Sequence, residues 1–172
     1  MLNQKKSIGV LIPTVDQYYQ RELWHAIVEE AKKLDYNILF FCGSVLDSPV
    51  GNDKQNNIMY NLATKGGING IISITGTLFN YSEKEKFVKF FRKFDKTPII
   101  HISYSTEEVN CIVVDNYSSM KKMVNHIITG HDYKNYVYVS GPNTNTESVS
   151  RKNAFMDGMK ENRIGAENFM IL

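Results

Sequence analysis

Polar and aromatic side chains follow the ends of several short apolar runs in this sequence. Asp16, Tyr18 and Tyr19 come after the first run, Thr75 follows a later one, and Asp115 follows another. Carboxylates, hydroxyls and aromatic rings are suited to hold a polar small molecule such as a sugar or a nucleoside. Loops are also polar because they face water, so each of these residues taken alone is compatible with an ordinary surface position.

Sequence patterns typical of catalysis do not occur: there is no G-x-S-x-G, H-E-x-x-H or G-K-[ST] motif. The glycine-rich stretch 66–70 follows a predicted helix and precedes a predicted strand, the reverse of the order in a phosphate-binding loop, so it predicts a helix end. Three histidines lie on or just after helical segments without clustered partners: His25, His126 and His131. His101 lies inside an apolar run, as a hydrogen-bonded core histidine does. Asp16 and Asp115 are the only candidates for a nucleophile at a strand end, and neither belongs to a catalytic motif. We therefore expect no catalytic residue. The lack of clustered ligand residues also predicts no metal site, and we expect no cofactor.

The apolar runs that position these side chains alternate with helical patterns. Predicted strands cover 8–12, 37–41, 68–74, 98–102, 110–114, 136–139 and 169–172, and the helical stripes between them cover 23–34, 58–63, 87–94, 120–128 and 147–162. Short strands that alternate with helices are typical of βαβ units, whose right-handed crossovers place helices on both faces of the sheet. The sequence therefore predicts an α/β fold with a doubly wound parallel sheet. Ligands of such sheets bind beyond the carboxyl ends of the strands, where the polar residues above fall.

Composition narrows the class of protein. A hydrophobic fraction of 42% is enough to build a core, which argues against disorder. A net charge of +2 lacks the strongly basic balance of a nucleic-acid-binding chain. No apolar run reaches the roughly 18 residues that span a bilayer, and the N-terminus lacks the apolar stretch of a signal peptide, so we expect a cytoplasmic protein that does not enter membranes. Cys42 and Cys111 have no ligand or redox spacing and predict buried small side chains.

The order of residues in the second half is more specific than the fold pattern. Val-Val-Asp-Asn-Tyr-Ser-Ser-Met at 113–120 is followed by a helical segment, by Gly-His-Asp-Tyr-Lys-Asn-Tyr-Val-Tyr-Val-Ser-Gly-Pro at 130–142 and by Arg-Lys-Asn-Ala-Phe at 151–155. This order resembles the lactose-repressor family, whose effector-binding core has the periplasmic-binding-protein type 1 fold. The family has an R-x-x-G-F pattern where this chain has Ala154. The strand at 8–13 and its tyrosine-rich turn also fit, so the resemblance covers nearly the whole chain in order.

The resemblance implies which side chains contact the ligand. These are Asp16, Tyr18, Tyr19, Thr75, Asp115 and Arg151. Arg151 suits the role because its planar fork can donate two parallel hydrogen bonds to vicinal hydroxyls or to a carboxylate, although a surface helix arginine is the plain alternative. Asp16 is equally suited to cap the helix that follows it.

The family core has two lobes joined by chain crossings, with the effector bound between them and closure as the signal. On that basis residues 1–139 are expected to form an incomplete lobe one whose return strands are missing, and residues 140–172 the start of lobe two. The chain is therefore predicted to be truncated. The sheet edges and apolar surface that such a core exposes predict pairing of two copies into a homodimer.

Residues 1–6 precede the first strand, so the family's DNA-binding headpiece is not expected and this chain is not expected to bind nucleic acid. The stretches 41–49 and 55–62 are similar to headpiece-less cores fused ahead of diguanylate cyclase or histidine kinase modules. We therefore expect a non-catalytic sensing domain that binds a small-molecule effector and acts on an attached output domain beyond Leu172. Two alternatives remain: the core of a transcriptional regulator whose headpiece is absent, and a small α/β enzyme acting on a phosphorylated metabolite.

Overall fold

The structure is a computed structural model that describes residues 5–82, 84–94, 96–106 and 109–172. Residues 1–4 lie outside the described residues. They are part of the segment 1–6 that precedes the first strand and on which the expectation about a DNA-binding headpiece is based. Strands and helices alternate in the described part of the chain, as the sequence predicts. The elements are β1 (Ser7–Ile12), α1 (Tyr18–Lys33), β2 (Asn37–Cys42), α2 (Asp53–Asn56), α3 (Met59–Leu62), β3 (Gly70–Ser73), α4 (Thr75–Leu78), α5 (Lys84–Phe91), β4 (Ile99–Ile102), β5 (Cys111–Ile112), α6 (Asn116–Gly130), β6 (Tyr136–Tyr138), α7 (Thr146–Glu161) and β7 (Phe169–Ile171), with 3-10 turns at Arg92–Phe94 and Ala166–Asn168.

The first sheet is parallel and has the strand order β2-β1-β3-β4-β5. In the pairing of β1 with its neighbours, Val10 lies beside Phe40 of β2 and beside Ile72 of β3. The chain passes from β1 outward to β2 and then returns past β1 to β3 and beyond. The strand order therefore reverses between β1 and β3, and the carboxyl ends of these two strands form the switch point of the sheet.

Helices cover both faces of this sheet, which confirms the predicted class. Successive residues of a strand point to opposite faces. Val10 and Ile12 are fully buried in a cluster with Trp24 of α1. Leu11 is fully buried in a second cluster, which contains Tyr60 of α3 and Phe87 of α5.

A second, two-stranded sheet pairs β6 with β7 in parallel. Its core joins Tyr138 and Phe155, whose rings stack 4.9 Å apart. Helices α6 and α7 pack closely: a Cβ on Gly158 would lie 2.6 Å from the side chain of Val124. The contacts divide the chain into two compact units, one up to Ile112 and one from Val113 onward. This division differs from the expected boundary at 139/140, because β6 pairs with β7 and α6 packs against α7.

Three local predictions differ from the structure. The predicted helix at 58–63 is only the short helix α3, and α2 precedes it as a separate turn of helix; Ile58 is 64% exposed while Tyr60 is fully buried. The predicted strand at 110–114 pairs only at Cys111 and Ile112. Both cysteines are half-buried rather than buried. The helix end predicted at 66–70 is a loop over 66–69 between α3 and β3, where Gly66 and Gly67 have left-handed φ values of 98° and 80° that favour glycine.

Candidate functional site

A polar crevice of about 360 Å³ lies beyond the carboxyl ends of β1, β2 and β3, at the switch point of the first sheet. It is lined by hydroxyl, amide and carboxylate groups together with an aromatic ring and two apolar side chains. The lining residues are Pro13, Thr14, Gln17, Gln20, Ser44, Val45, Asp53, Thr77, Asn80 and Tyr81. Such a lining offers both donors and acceptors to a polar small molecule.

Gln20 is the unusual residue of this crevice. It is only 3% exposed, and its Nε2 atom donates to Oε1 of Gln17 at 3.1 Å. Its own Oε1 atom is buried and has no hydrogen-bond partner among the described residues. A buried polar atom without a partner costs about 1–3 kcal/mol. One residue that lines the crevice therefore has a buried acceptor that lacks a donor.

Tyr60 connects the end of β1 to the loop after β2 on one side of the crevice. Its hydroxyl lies 2.9 Å from the carbonyl oxygen of Ser44 and 3.2 Å from that of Ile12. Burial raises the pKa of the Tyr60 hydroxyl far above its usual range, so the group stays protonated and can donate. The side chain of Asn57 supports the same loop by accepting from the Ser44 amide at 2.9 Å.

The predicted residues after β1 are exposed beside this crevice. Tyr18 is 73% exposed, and Tyr19 is 44% exposed with its hydroxyl 2.8 Å from Oγ of Ser103 at the end of β4. Asp16 is exposed and does not cap α1: the N-cap is Gln17, and no side chain of this cap bonds to the helix amides. The capping alternative for Asp16 is therefore wrong, and its carboxylate is open to solvent.

Thr75 does not belong with these exposed side chains, which corrects the expectation that its hydroxyl faces a ligand. It is fully buried, and its Oγ1 atom lies 2.8 Å from Oγ of Ser73 and 2.8 Å from Nδ1 of His101. Burial lowers the pKa of His101 to about 4, so the ring is neutral at pH 7. Thr75, Ser73 and His101 form a hydrogen-bonded polar cluster inside the core, as predicted for His101.

The second unit brings Asp115 and Arg151 to the start of α6. Asp115 is the N-cap of this helix, and its Oδ1 atom accepts from the amide of Ser118 at 3.0 Å. This hydrogen bond lowers the pKa of Asp115, so the carboxylate is ionised at neutral pH. Arg151 is half-buried on α7 and donates from Nη1 to Oδ1 of Asn116 at 2.5 Å. The remaining donors of its guanidinium leave it able to bind a further acceptor.

Contacts between α6 and α7 hold Arg151 in place. Tyr117 donates to Asp157 at 2.6 Å, and Lys121 pairs with Glu161 at 2.6 Å. Asn145 caps α7 by accepting from the amide of Ser148 at 3.0 Å. The position of Arg151 relative to Asn116 is therefore fixed by packing within this unit.

Neither a metal cluster nor a membrane-spanning helix is found in the part of the chain that the structure describes. No three His, Cys, Asp or Glu residues there are grouped so as to hold a metal ion. No helix there combines the length and apolar character needed to cross a bilayer.

Sequence reasoning missed the crevice lining, although one signal was present. Gln20 precedes Leu23, Trp24 and Ile27 at helical spacing and so falls on the apolar stripe of α1. A polar residue at such a position is either hydrogen-bonded or available to a ligand. Ser44, Thr77 and the other lining residues carry no comparable signal, because short polar side chains are ordinary in loops.

The fold is shared with solved sugar-binding and regulatory proteins. The structure matches transcription regulator CcpA of Lactococcus lactis with a TM-score of 0.75 and 16% identity, over 98% of this chain and 59% of that one. It also matches a periplasmic binding protein/LacI transcriptional regulator from Alkaliphilus metalliredigens, complexed with D-xylulofuranose, with a TM-score of 0.69 and 16% identity, over 97% of this chain and 56% of that one. The chain has the periplasmic-binding-protein type 1 fold.

A third structure with the type 1 fold is an ABC transporter periplasmic solute binding protein from Actinobacillus succinogenes with bound D-allose. It matches with a TM-score of 0.73 and 18% identity, over 98% of this chain and 58% of that one. The chain thus spans less than three fifths of each of these three proteins. No protein-family model matches the sequence, and no curated protein sequence matches it. The type 1 fold that the resemblance implies is confirmed by the structure.

Proposed function

We propose that this chain is part of an effector-binding core that senses a small polyhydroxylated molecule, either a sugar or a nucleoside-like compound. The observation that carries the proposal is the buried Oε1 atom of Gln20, an acceptor without a donor in the wall of a polar crevice at the switch point. Ligands of doubly wound sheets bind at this place. If the Gln20 side chain rotates toward the crevice, a hydroxyl group of a ligand can supply the missing donor.

The second unit, taken by itself, contains polar groups that suit the same class of ligand. The guanidinium of Arg151 and the ionised carboxylate of Asp115 can respectively donate to and accept from vicinal hydroxyls. Within the proposal, the unit up to Ile112 is lobe one and the unit from Val113 is the start of lobe two. The bound sugars of the two similar proteins, D-xylulofuranose and D-allose, support the same ligand class.

A thermal-shift screen of the complete gene product tests the proposal. The compounds are pentoses, hexoses, alditols, nucleosides and small organic acids. A ligand that binds only the folded state raises the melting temperature, by an amount that grows with its concentration. We expect a sugar, an alditol or a nucleoside to raise it and the small acids to leave it unchanged.

Matched variants then locate the binding site of a hit. Gln20→Met removes the unpartnered acceptor, and Gln55→Met makes the same change on the exposed helix α2. Arg151→Gln removes the guanidinium, and Arg92→Gln is its exposed control. Asp115→Asn keeps a side chain that can cap α6 while removing the charge. We expect at least tenfold weaker binding for Gln20→Met and no change for Gln55→Met. Loss of affinity in Arg151→Gln but not in Arg92→Gln tests separately whether the guanidinium in the second unit contacts a ligand.

Two results overturn the proposal. One is a well-folded protein whose melting temperature no compound raises. The other is a hit whose affinity is the same in Gln20→Met and Arg151→Gln as in the parent protein.

The similarity to the transcription regulator CcpA favours a second candidate for the wider role, the core of a transcriptional regulator. The first candidate is a cytoplasmic, homodimeric sensor that acts on an attached output domain through hinge closure. An operator-binding assay on the complete gene product distinguishes the two. Specific DNA binding that the effector alters supports the regulator, and effector-dependent activity of an output domain without DNA binding supports the sensor.

A further inference from the structure

A second concave site lies away from the switch point, between α5 and the loop after β2. This groove has a volume of about 430 Å³ and is lined in part by Lys86, Lys89 and Lys93. The three residues are three and four positions apart, so their side chains lie on one side of the helical segment. The floor of the groove is apolar and includes the rings of Phe79 and Phe90, which meet edge to face at 5.6 Å. We call this site the lysine groove.

The carboxylate of the lysine groove neutralises only one of its ammonium groups. Asp47 accepts from Oγ of Ser82 at 2.6 Å and pairs with Lys86 at 3.1 Å. The hydrogen bond from Ser82, together with Lys86, lowers the pKa of Asp47, so the carboxylate is charged and already paired. Lys89 has no hydrogen-bond or ion-pair partner among the described residues, and the groove therefore keeps a positive balance.

Lys93 has only neutral partners among the described residues. Its Nζ atom donates to Oδ1 of Asn61 at 2.8 Å and lies 4.0 Å from the centre of the Phe90 ring. Loss of hydration lowers the pKa of this ammonium to about 8. An anion beside Lys93 and Lys89 would supply the opposite charge that both groups lack.

We propose that the lysine groove binds a small organic anion with an apolar body, such as an aryl phosphate or an aryl carboxylate. The two ammonium groups of Lys89 and Lys93 contact the anionic group, and the aromatic floor of Phe79 and Phe90 contacts the ring of the ligand. The volume of the groove falls in the range of small-molecule sites. The site is separate from the crevice that contains Gln20, so the two proposals stand or fall independently.

Titration of the complete gene product with phenyl phosphate, followed by NMR shifts of backbone amides, tests the proposal. Inorganic phosphate and benzyl alcohol are the comparison probes, each carrying only one half of the chemistry. We expect phenyl phosphate to bind at least tenfold more tightly than either, with shifts confined to α5 and to the segments around Asp47 and Phe79. Raising the salt concentration from 20 to 300 mM should weaken binding at least threefold, because salt screens exposed charges.

Lys89→Gln is the decisive variant, because Lys89 is exposed and its replacement breaks no described interaction. It should weaken phenyl phosphate binding at least threefold and leave the melting temperature unchanged. Lys33→Gln is the matched control, since Lys33 is an exposed helix lysine paired with Glu30 on α1. Equal affinity of Lys89→Gln and the parent protein overturns the proposal. Equal affinity for inorganic phosphate or benzyl alcohol, or shifts at the Gln20 crevice alone, overturns it too.

Discussion

Two buried polar sites in the described part of the first unit differ in whether their hydrogen-bonding groups are satisfied. In the core cluster, Thr75 bonds to Ser73 and His101, and each side chain has a described partner. In the crevice, Gln20 is buried to a similar degree, yet its Oε1 atom has none. The core cluster lies at the carboxyl end of β3 and Gln20 lies beside the carboxyl end of β1. Because both places are at the same edge of the sheet, position in the fold does not explain why one is satisfied and the other is not. The hydrogen-bond partners do: the satisfied cluster contributes to stability, and the unsatisfied atom is the observation on which the proposed ligand site depends.

The largest effect is expected when the satisfied cluster is broken. Thr75→Val leaves Ser73 Oγ and His101 Nδ1 buried without this partner, and should reduce the free energy of unfolding by about 3 kcal/mol. Chemical denaturation measures the change. Thr64→Val is the control, because Thr64 is exposed and should cost about 0.5 kcal/mol or less. Equal losses in the two variants would contradict the structural role of Thr75.

The neutral ring of His101 predicts a pH dependence of stability. Its pKa is about 4 in the folded protein and 6.5 in the ordinary state, so the unfolded chain binds more protons between these values. The stabilisation is complete above pH 6.5 and is lost as the pH falls toward 4. Between pH 7 and pH 5 the expected loss is about 2 kcal/mol. In His101→Gln the free energy of unfolding, measured by chemical denaturation, should fall less steeply between pH 7 and pH 5. The same dependence on pH in both proteins would refute the conclusion that His101 is neutral in the folded protein.

Replacement of Gln20, whose buried acceptor is unsatisfied, should increase the free energy of unfolding rather than reduce it. Gln20→Met removes a buried acceptor without a partner and should raise the free energy of unfolding by about 1 kcal/mol while it weakens effector binding at least tenfold. Gln55→Met, on the exposed side of α2, should change neither quantity. A destabilised Gln20→Met protein would mean that Oε1 has a partner in solution, and the contrast between the two regions would disappear.

Loss of the half-exposed hydrogen bond between Tyr19 and Ser103 should cause the smallest change in the free energy of unfolding. Tyr19→Phe removes a 2.8 Å contact that water can replace, and should cost about 0.5 kcal/mol. Tyr18→Phe, at a more exposed neighbouring position, should leave stability unchanged. Differential scanning calorimetry of the pair compares them directly. A larger loss for Tyr18→Phe would show that these two tyrosines have been assigned to the wrong environments.

The spacing of apolar residues predicted the α/β class. Strands buried on both faces are short continuous apolar runs, whereas amphipathic helices have apolar residues every three or four positions. It did not place β6, because the run 136–139 shows that a strand forms but not which strand pairs with it. Pairing with β7 is a contact between segments far apart in sequence. The exposed Ile58, just before the four-residue helix α3, shows the related limit that apolar spacing alone does not reveal how short a helix is or which of its apolar residues are buried.

The candidate site was predicted unevenly for similar reasons. Arg151 and Asp115 lie at the start of α6 together with Asn116, as a shared role requires, although their contact with a ligand stays a prediction. Thr75 was placed at the correct strand end, but sequence does not show whether a hydroxyl there points to solvent or into the core. Gln20 could have been found from its place on the apolar stripe of α1.

The hydroxyl of Tyr60 has a thermodynamic consequence for recognition. Because the single hydroxyl proton of Tyr60 is shared between the carbonyl oxygens of Ile12, at the end of β1, and Ser44, the loop after β2 cannot shift relative to β1 without weakening a buried hydrogen bond. The conformational entropy of this loop is then lost when the protein folds rather than when a ligand binds. A crevice wall ordered in advance lowers the entropic cost of association, so a given set of polar contacts produces a higher affinity.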